Sequence, residues 1–200
     1  MSYKTEQKRE LILDKAKKVF IQKGFHRTTM LDIIKECRIS RGGIYLYYSS
    51  VDEIFVEVVK KHNLEKKEDI LLSIENSTEF TQLVDLFFEG QKEKLLHMDQ
   101  SLYAAMLEFC SSHKNKSDKD FYAEQFTNNR EIILEMLSFG QNETKVQIED
   151  REILADSMML LIEGMRSMAV SSGITPERVE SQLNVCKKMI ISSFSLERKR

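Results

Sequence analysis

A single proline, Pro176, and seven glycines in two hundred residues leave few places where a helix has to stop. No apolar run approaches membrane-spanning length, and the polar opening MSYKTEQKRE is not expected to act as a signal peptide. Three cysteines (Cys37, Cys110 and Cys186) stand far apart, an odd number without metal-ligand spacing. They read as reduced thiols of a cytoplasmic protein. Strands with alternating polarity are missing, as is any repeat of fixed period. G-x-S-x-G, a P-loop, a dinucleotide fingerprint and H-E-x-x-H are absent as well. His26, His62 and His97 have no nucleophile or carboxylate pattern around them, and Cys110-Ser-Ser-His113 is at most half a metal site. No catalytic residue, cofactor or metal is therefore expected.

What the chain does have is charge, distributed unevenly. The net charge is −2, yet residues 1–50 hold eleven Lys and Arg against five Asp and Glu, a net of +6. Residues 51–200 carry a net of −8. A basic head on an acidic body suits a polyanion-binding module joined to a part with a different task.

Apolar spacing predicts helices throughout. Ile12, Ala16, Val19 and Phe20 form one stripe over about residues 5–23, closed by Gly24. Thr29 to Asp32 reads as a capping box that opens a second helix through about Cys37. A third helix starts at Ser40, and Ser50 to Glu53 is a further capping box that opens a long fourth helix toward Asp69. Phe80, Val84, Phe87 and Leu95 mark a helix, and Tyr103, Met106, Leu107 and Cys110 mark another. After the polar break SSHKNKSDKD, a helix carrying Phe121 to Leu137 is expected to stop at Gly140. Leu154, Met158, Leu161, Met165 and Met168 mark one more. Thr175-Pro176 opens the last helix, striped by Val179, Leu183, Cys186, Ile190 and Phe194. The expected fold is all-α with about nine helices, divided into 1–50 and 51–200.

The stretch ISRGGIYLYYSS, residues 39–50, directly follows the compact second helix. Two helices joined by so short a connection, with the first packed behind, form a helix-turn-helix whose second helix enters the DNA major groove. Ser40 caps that helix, and Arg41 brings charge to the groove edge. Gly42 and Gly43, lacking Cβ atoms, let backbone N–H groups approach DNA closely. Tyr47 is read as a phenolic donor to phosphate; Tyr45 could serve that face or the core. Ile44 and Tyr48 point inward.

These residues carry a family resemblance. Arg9-x-x-Ile12-Leu13-x-x-Ala16, Phe20, Gly24-Phe25, Thr28-Thr29-x-x-Asp32-Ile33, the 39–48 stretch and Ile54-Phe55 together resemble the DNA-binding domain of the TetR family of bacterial transcription regulators. The resemblance covers about a quarter of the chain. It departs at three positions: Arg38 stands where the family usually has glycine, Val51 where it commonly has lysine, and Leu46 where histidine is frequent. The phosphate grip would then lean on Thr29, Arg41, Tyr45, Tyr47 and Arg38.

The resemblance implies operator DNA as partner, a ligand-responsive body, and a homodimer made by the last two helices. Met158, Met165, Leu183, Ile190 and Phe194 are the expected dimer residues, and helix 4 the expected transmission element. Phe87, Met106, Phe109, Gln125, Phe126 and Asn129 are the candidates for a pocket that takes a small apolar or amphipathic ligand. A DNA-binding regulator without a ligand, whose body only dimerises or binds a protein, remains the alternative.

Overall fold

A computed structural model describes residues 3–77 and 79–196. Among these residues there are nine α-helices and no strand. They are α1 (Tyr3–Lys23), α2 (Met30–Cys37), α3 (Arg41–Tyr45), α4 (Val51–Glu75), α5 (Phe80–Leu96), α6 (Tyr103–Ser112), α7 (Lys116–Thr144), α8 (Arg151–Ser171) and α9 (Pro176–Leu196). No helix among the described residues is long and apolar enough to cross a membrane.

The chain forms two compact units. The first holds the residues up to Leu64 together with Asp99–Asp120; the second holds Glu65–Met98 and the chain from Phe121 onward. The first thus takes in more than residues 1–50. Half of α4 is part of it, and so is α6, because Phe109 enters its aromatic core. The Phe109 ring lies 5.0 Å from Phe25 and 5.1 Å from Phe55, and Phe55 meets Phe20 at 4.8 Å. These contacts are close enough for edge-to-face attraction beyond simple burial. Glu108 adds a polar tie, accepting the His26 backbone N–H at 2.8 Å. It does so beside Gly24, whose φ of +76° no side chain would adopt easily.

In the second unit α5, α8 and α9 pack together with the apolar face of α7. Here α7 does not stop at Gly140 but runs on to Thr144. The glycine serves packing instead: a Cβ there would come within 2.7 Å of both Phe80 and Phe194, whose tilted rings meet with centroids 4.5 Å apart. The five residues expected at a dimer face lie in this core. Met158 and Ile190 are fully buried, and Met165, Leu183 and Phe194 nearly so. A stripe that regular closes the unit's own bundle, so these side chains are not available to a second copy. The apolar residues left outside on the same helices are Ile153, Leu160 and Val170 on α8, and Val185 and Met189 on α9.

Candidate nucleic-acid interface

Local chemistry sets the α2–α3 pair. Thr29 caps α2: its hydroxyl accepts the Asp32 N–H at 3.2 Å, and Asp32 accepts the Thr29 N–H at 3.0 Å, a complete capping box. The Thr29 hydroxyl proton goes to the same carboxylate at 2.7 Å, which leaves it no proton for a phosphate in this arrangement. Lys23 ties Asp32 back to α1 at 2.5 Å. Hydrogen bonds from Lys23 first and Thr29 next hold the Asp32 carboxyl at about 2, well below 3.8. Because the folded value is depressed, this clasp's stabilisation is complete above pH 3.8 and fades as pH falls toward about 2. Denaturant titrations of the protein and of Asp32→Asn should therefore differ at neutral pH and converge through that window; a constant difference would rule the clasp out.

Arg38 ends α2 in the left-handed region, with φ 53° and ψ 40°. Its N–H reaches the Lys35 carbonyl at 3.2 Å and the Ile39 N–H reaches Ile34 at 3.4 Å. The turn keeps its geometry, and the cost falls on a residue with a Cβ. Arg38→Gly should raise stability by about 0.5–1 kcal/mol. If Arg38 also holds a phosphate, the same variant should bind DNA more weakly and with a shallower salt dependence. Thermal melts and salt-titrated binding separate the two effects.

On α3 the Ser40 hydroxyl accepts the Gly43 N–H at 3.1 Å. Ile44 and Tyr48 anchor the element, both essentially inaccessible. The Tyr48 ring lies under the Arg9 guanidinium, 4.6 Å away, and its buried hydroxyl has no hydrogen-bond partner among the described residues. Burial pushes that phenol up to about 12. The opposite face is open. Arg38, Ser40, Arg41, Gly42 and Tyr45 are exposed, Gly43 and Tyr47 half-buried, and a Cβ at Gly42 would meet nothing within 4 Å. The Tyr47 carbonyl is held by Arg9 at 3.5 Å. Leu46 is 83% exposed, an apolar side chain standing on the surface beside the glycines.

Ser50 caps α4 by accepting the Glu53 N–H at 3.0 Å. The Glu53 carboxylate, however, reaches back one residue further than expected, to the N–H and hydroxyl of Ser49 at 2.7 and 2.8 Å. These bonds, the backbone one first, hold its carboxyl below the ordinary range. Val51, next in line, is half-buried.

The pocket candidates are scattered. Met106 and Phe109 lie in the first unit, buried. Phe126 packs against the core of the second unit, and buried Gln125 donates to the Phe121 carbonyl at 3.0 Å. Phe87 and Asn129 do come together, lining a cleft in the second unit with Lys66, Lys94, Ile132, Met159 and Arg166. Its cations come from α4, α5 and α8, three separate helices whose own residue spacing does not link them.

A short-linked pair of helices with a glycine-opened, unobstructed second member defines a helix-turn-helix DNA-binding protein. Residues 12–58 match the family model for bacterial regulatory proteins of the tetR family. The helix-turn-helix transcriptional regulator YfiR of Bacillus subtilis is 51% identical over 49 residues, 24% of each chain. The chain thus spans about a quarter of that relative's length in the match. The helix-turn-helix transcriptional regulator YuxN of Bacillus subtilis is 32% identical over 108 residues, 52% of this chain and 32% of that one, and solved structures share the fold. FadR of Bacillus subtilis, crystallised with stearoyl-CoA, superposes with a TM-score of 0.70 at 18% identity, over 92% of this chain and 98% of that one. A transcriptional regulator of Saccharomonospora viridis in complex with choline gives 0.72 at 18% identity, over 90% and 95%. Residues 12–58 thus carry the DNA-binding domain of the tetR family of bacterial regulatory proteins, and the chain as a whole has the fold of these solved regulators.

Proposed function

We propose that the protein is a cytoplasmic, homodimeric repressor that binds operator DNA through α3 and is released by a small organic ligand. The observation that carries the DNA-binding reading is the open first turn of α3. Ser40 caps it by taking the Gly43 N–H, Gly42 puts no side chain over the N–H groups ahead of that bond, and Arg38, Arg41 and Tyr45 are exposed around it. Phosphate contacts from these residues would set register without reading sequence. Exposed Leu46 offers an apolar group suited to a thymine methyl in the major groove.

Dimerisation is supported by the apolar side chains that α8 and α9 leave outside, Leu160 above all at 65% exposure. Two copies related by a two-fold axis would read two half-sites of a pseudo-palindrome. The ligand can act only by binding one conformation of the dimer better than the other. Against a ligand stands the narrowness of the cleft, with only about 20 Å³ free, room for roughly one water. That favours the second reading, a body that only dimerises. Mobility shifts on fragmented genomic DNA, with and without added organic acids and amines, test the pair: release by a compound supports the first reading, and indifference to all of them the second.

A further inference from the structure

The cleft in the second unit has a charge pattern at odds with its surroundings. Lys66, Lys94 and Arg166 line it, no carboxylate does, and residues 51–200 as a whole are acidic. Arg166 is held in place: its guanidinium donates to Glu163 at 2.6 Å and to the buried Gln91 Oε1 at 3.3 Å. Only 14% of its side chain is exposed. Lys94 is exposed as a residue, yet its ammonium is held below the ordinary lysine value, by burial first and then by the charge of Arg166. The Asp69 carboxylate acts on it in the opposite direction, more weakly than burial and Arg166. Even with Glu163 beside Arg166, the Arg166 charge still acts against that of Lys94, and an anion between the two would relieve that cost. The rest of the lining is mainly apolar, with Ile70, Phe87, Ile132, Met159 and Ile162.

We infer that this cleft takes an amphipathic organic anion, its head among Lys66, Lys94 and Arg166 and its tail against Phe87, Ile132 and Met159. The recess is a dent of about 370 Å³ open to solvent, with about 20 Å³ of free space deep inside. The head therefore meets the cations at the mouth, and the tail enters by displacing side chains. Met159 is suited to that, being unbranched and adaptable. A quaternary amine of the choline type would face the same cations and be repelled. The inference rests on the ligand-responsive reading only for its regulatory consequence; binding is measured separately from DNA release.

The test uses the full chain with methyl-labelled methionine and three probes of equal tail: octanoate, octyl phosphate and octyltrimethylammonium. The Met159 methyl signal is assigned by its loss in Met159→Leu. Both anions should shift that signal saturably, and the cation should not. Arg166→Gln and Lys94→Gln should each weaken anion binding about tenfold, the loss of one charge-assisted contact. Lys94→Gln leaves the Arg166–Gln91 contact intact and so guards against a misfolded variant. Saturation by the cation at equal concentration, no Met159 shift with either anion, or anion affinity unchanged in both variants would each overturn the inference. Mobility shifts on the same samples keep the two readings apart: anions that bind without releasing DNA support the site and count against ligand-driven release.

Discussion

Gly43→Glu is expected to abolish DNA binding while making the protein slightly more stable. Position 43 is the third residue of α3, and Ser40 is its N-cap. Glutamate there completes a capping box, brings a carboxylate to the positive end of the helix, and replaces the poorest helix former after proline. Together these should raise stability by about 0.5–1.5 kcal/mol. The fit is tight, since a Cβ would lie 3.1 Å from the Ser40 hydroxyl, which has to yield slightly while keeping its cap; nothing else lies within 4 Å. The same carboxylate would sit where α3 must meet phosphate, and like charges in contact cost several kcal/mol, a loss of about a hundredfold or more. Opposite signs for stability and binding exclude misfolding as the cause. Thermal melts and mobility shifts on one preparation give both; binding within about threefold of the parent would remove α3 from the interface.

The second large effect concerns assembly. Leu160→Glu with Val185→Glu should give a folded monomer, because both side chains are exposed, at 65% and 45%. Loss of bivalent attachment should cost roughly 10²–10⁴ in apparent DNA affinity. Leu183→Glu should behave differently. Leu183 is 4% exposed within the core of the second unit, and a carboxylate buried there without a partner should unfold it. Sedimentation and circular dichroism separate a monomer from an unfolded chain. A Leu160/Val185 double variant that remains dimeric would move the interface elsewhere.

The head was legible in the sequence because its determinants are local. The Gly24 cap, the Thr29–Asp32 box, the Ser40 cap and the inward Ile44 and Tyr48 all act within a few residues of themselves. Even the strained Arg38 follows from turn geometry once the second helix ends at Cys37. Properties decided across the chain were not legible. Phe109 sits on an ordinary apolar stripe, and only the position of Phe25 and Phe55 assigns it to the head. Gly140 looks like a helix stop until Phe80 and Phe194 close over it. The stripe through Met158 and Met165 has the spacing of an interface and of a core alike, and burial alone decides between them. Lys66, Lys94 and Arg166 lie on three helices, each at a position that reads as a solvated face.

The central claim is that a dimer reads DNA through the first turn of α3. Footprinting of the full-length protein and of Gly43→Glu across genomic DNA tests it most directly. Protected sites should be built as inverted repeats, their half-site centres about one helical turn or a multiple apart, and should be lost completely in the variant. Protected sites without two-fold symmetry, or a footprint that survives the glutamate, would contradict it.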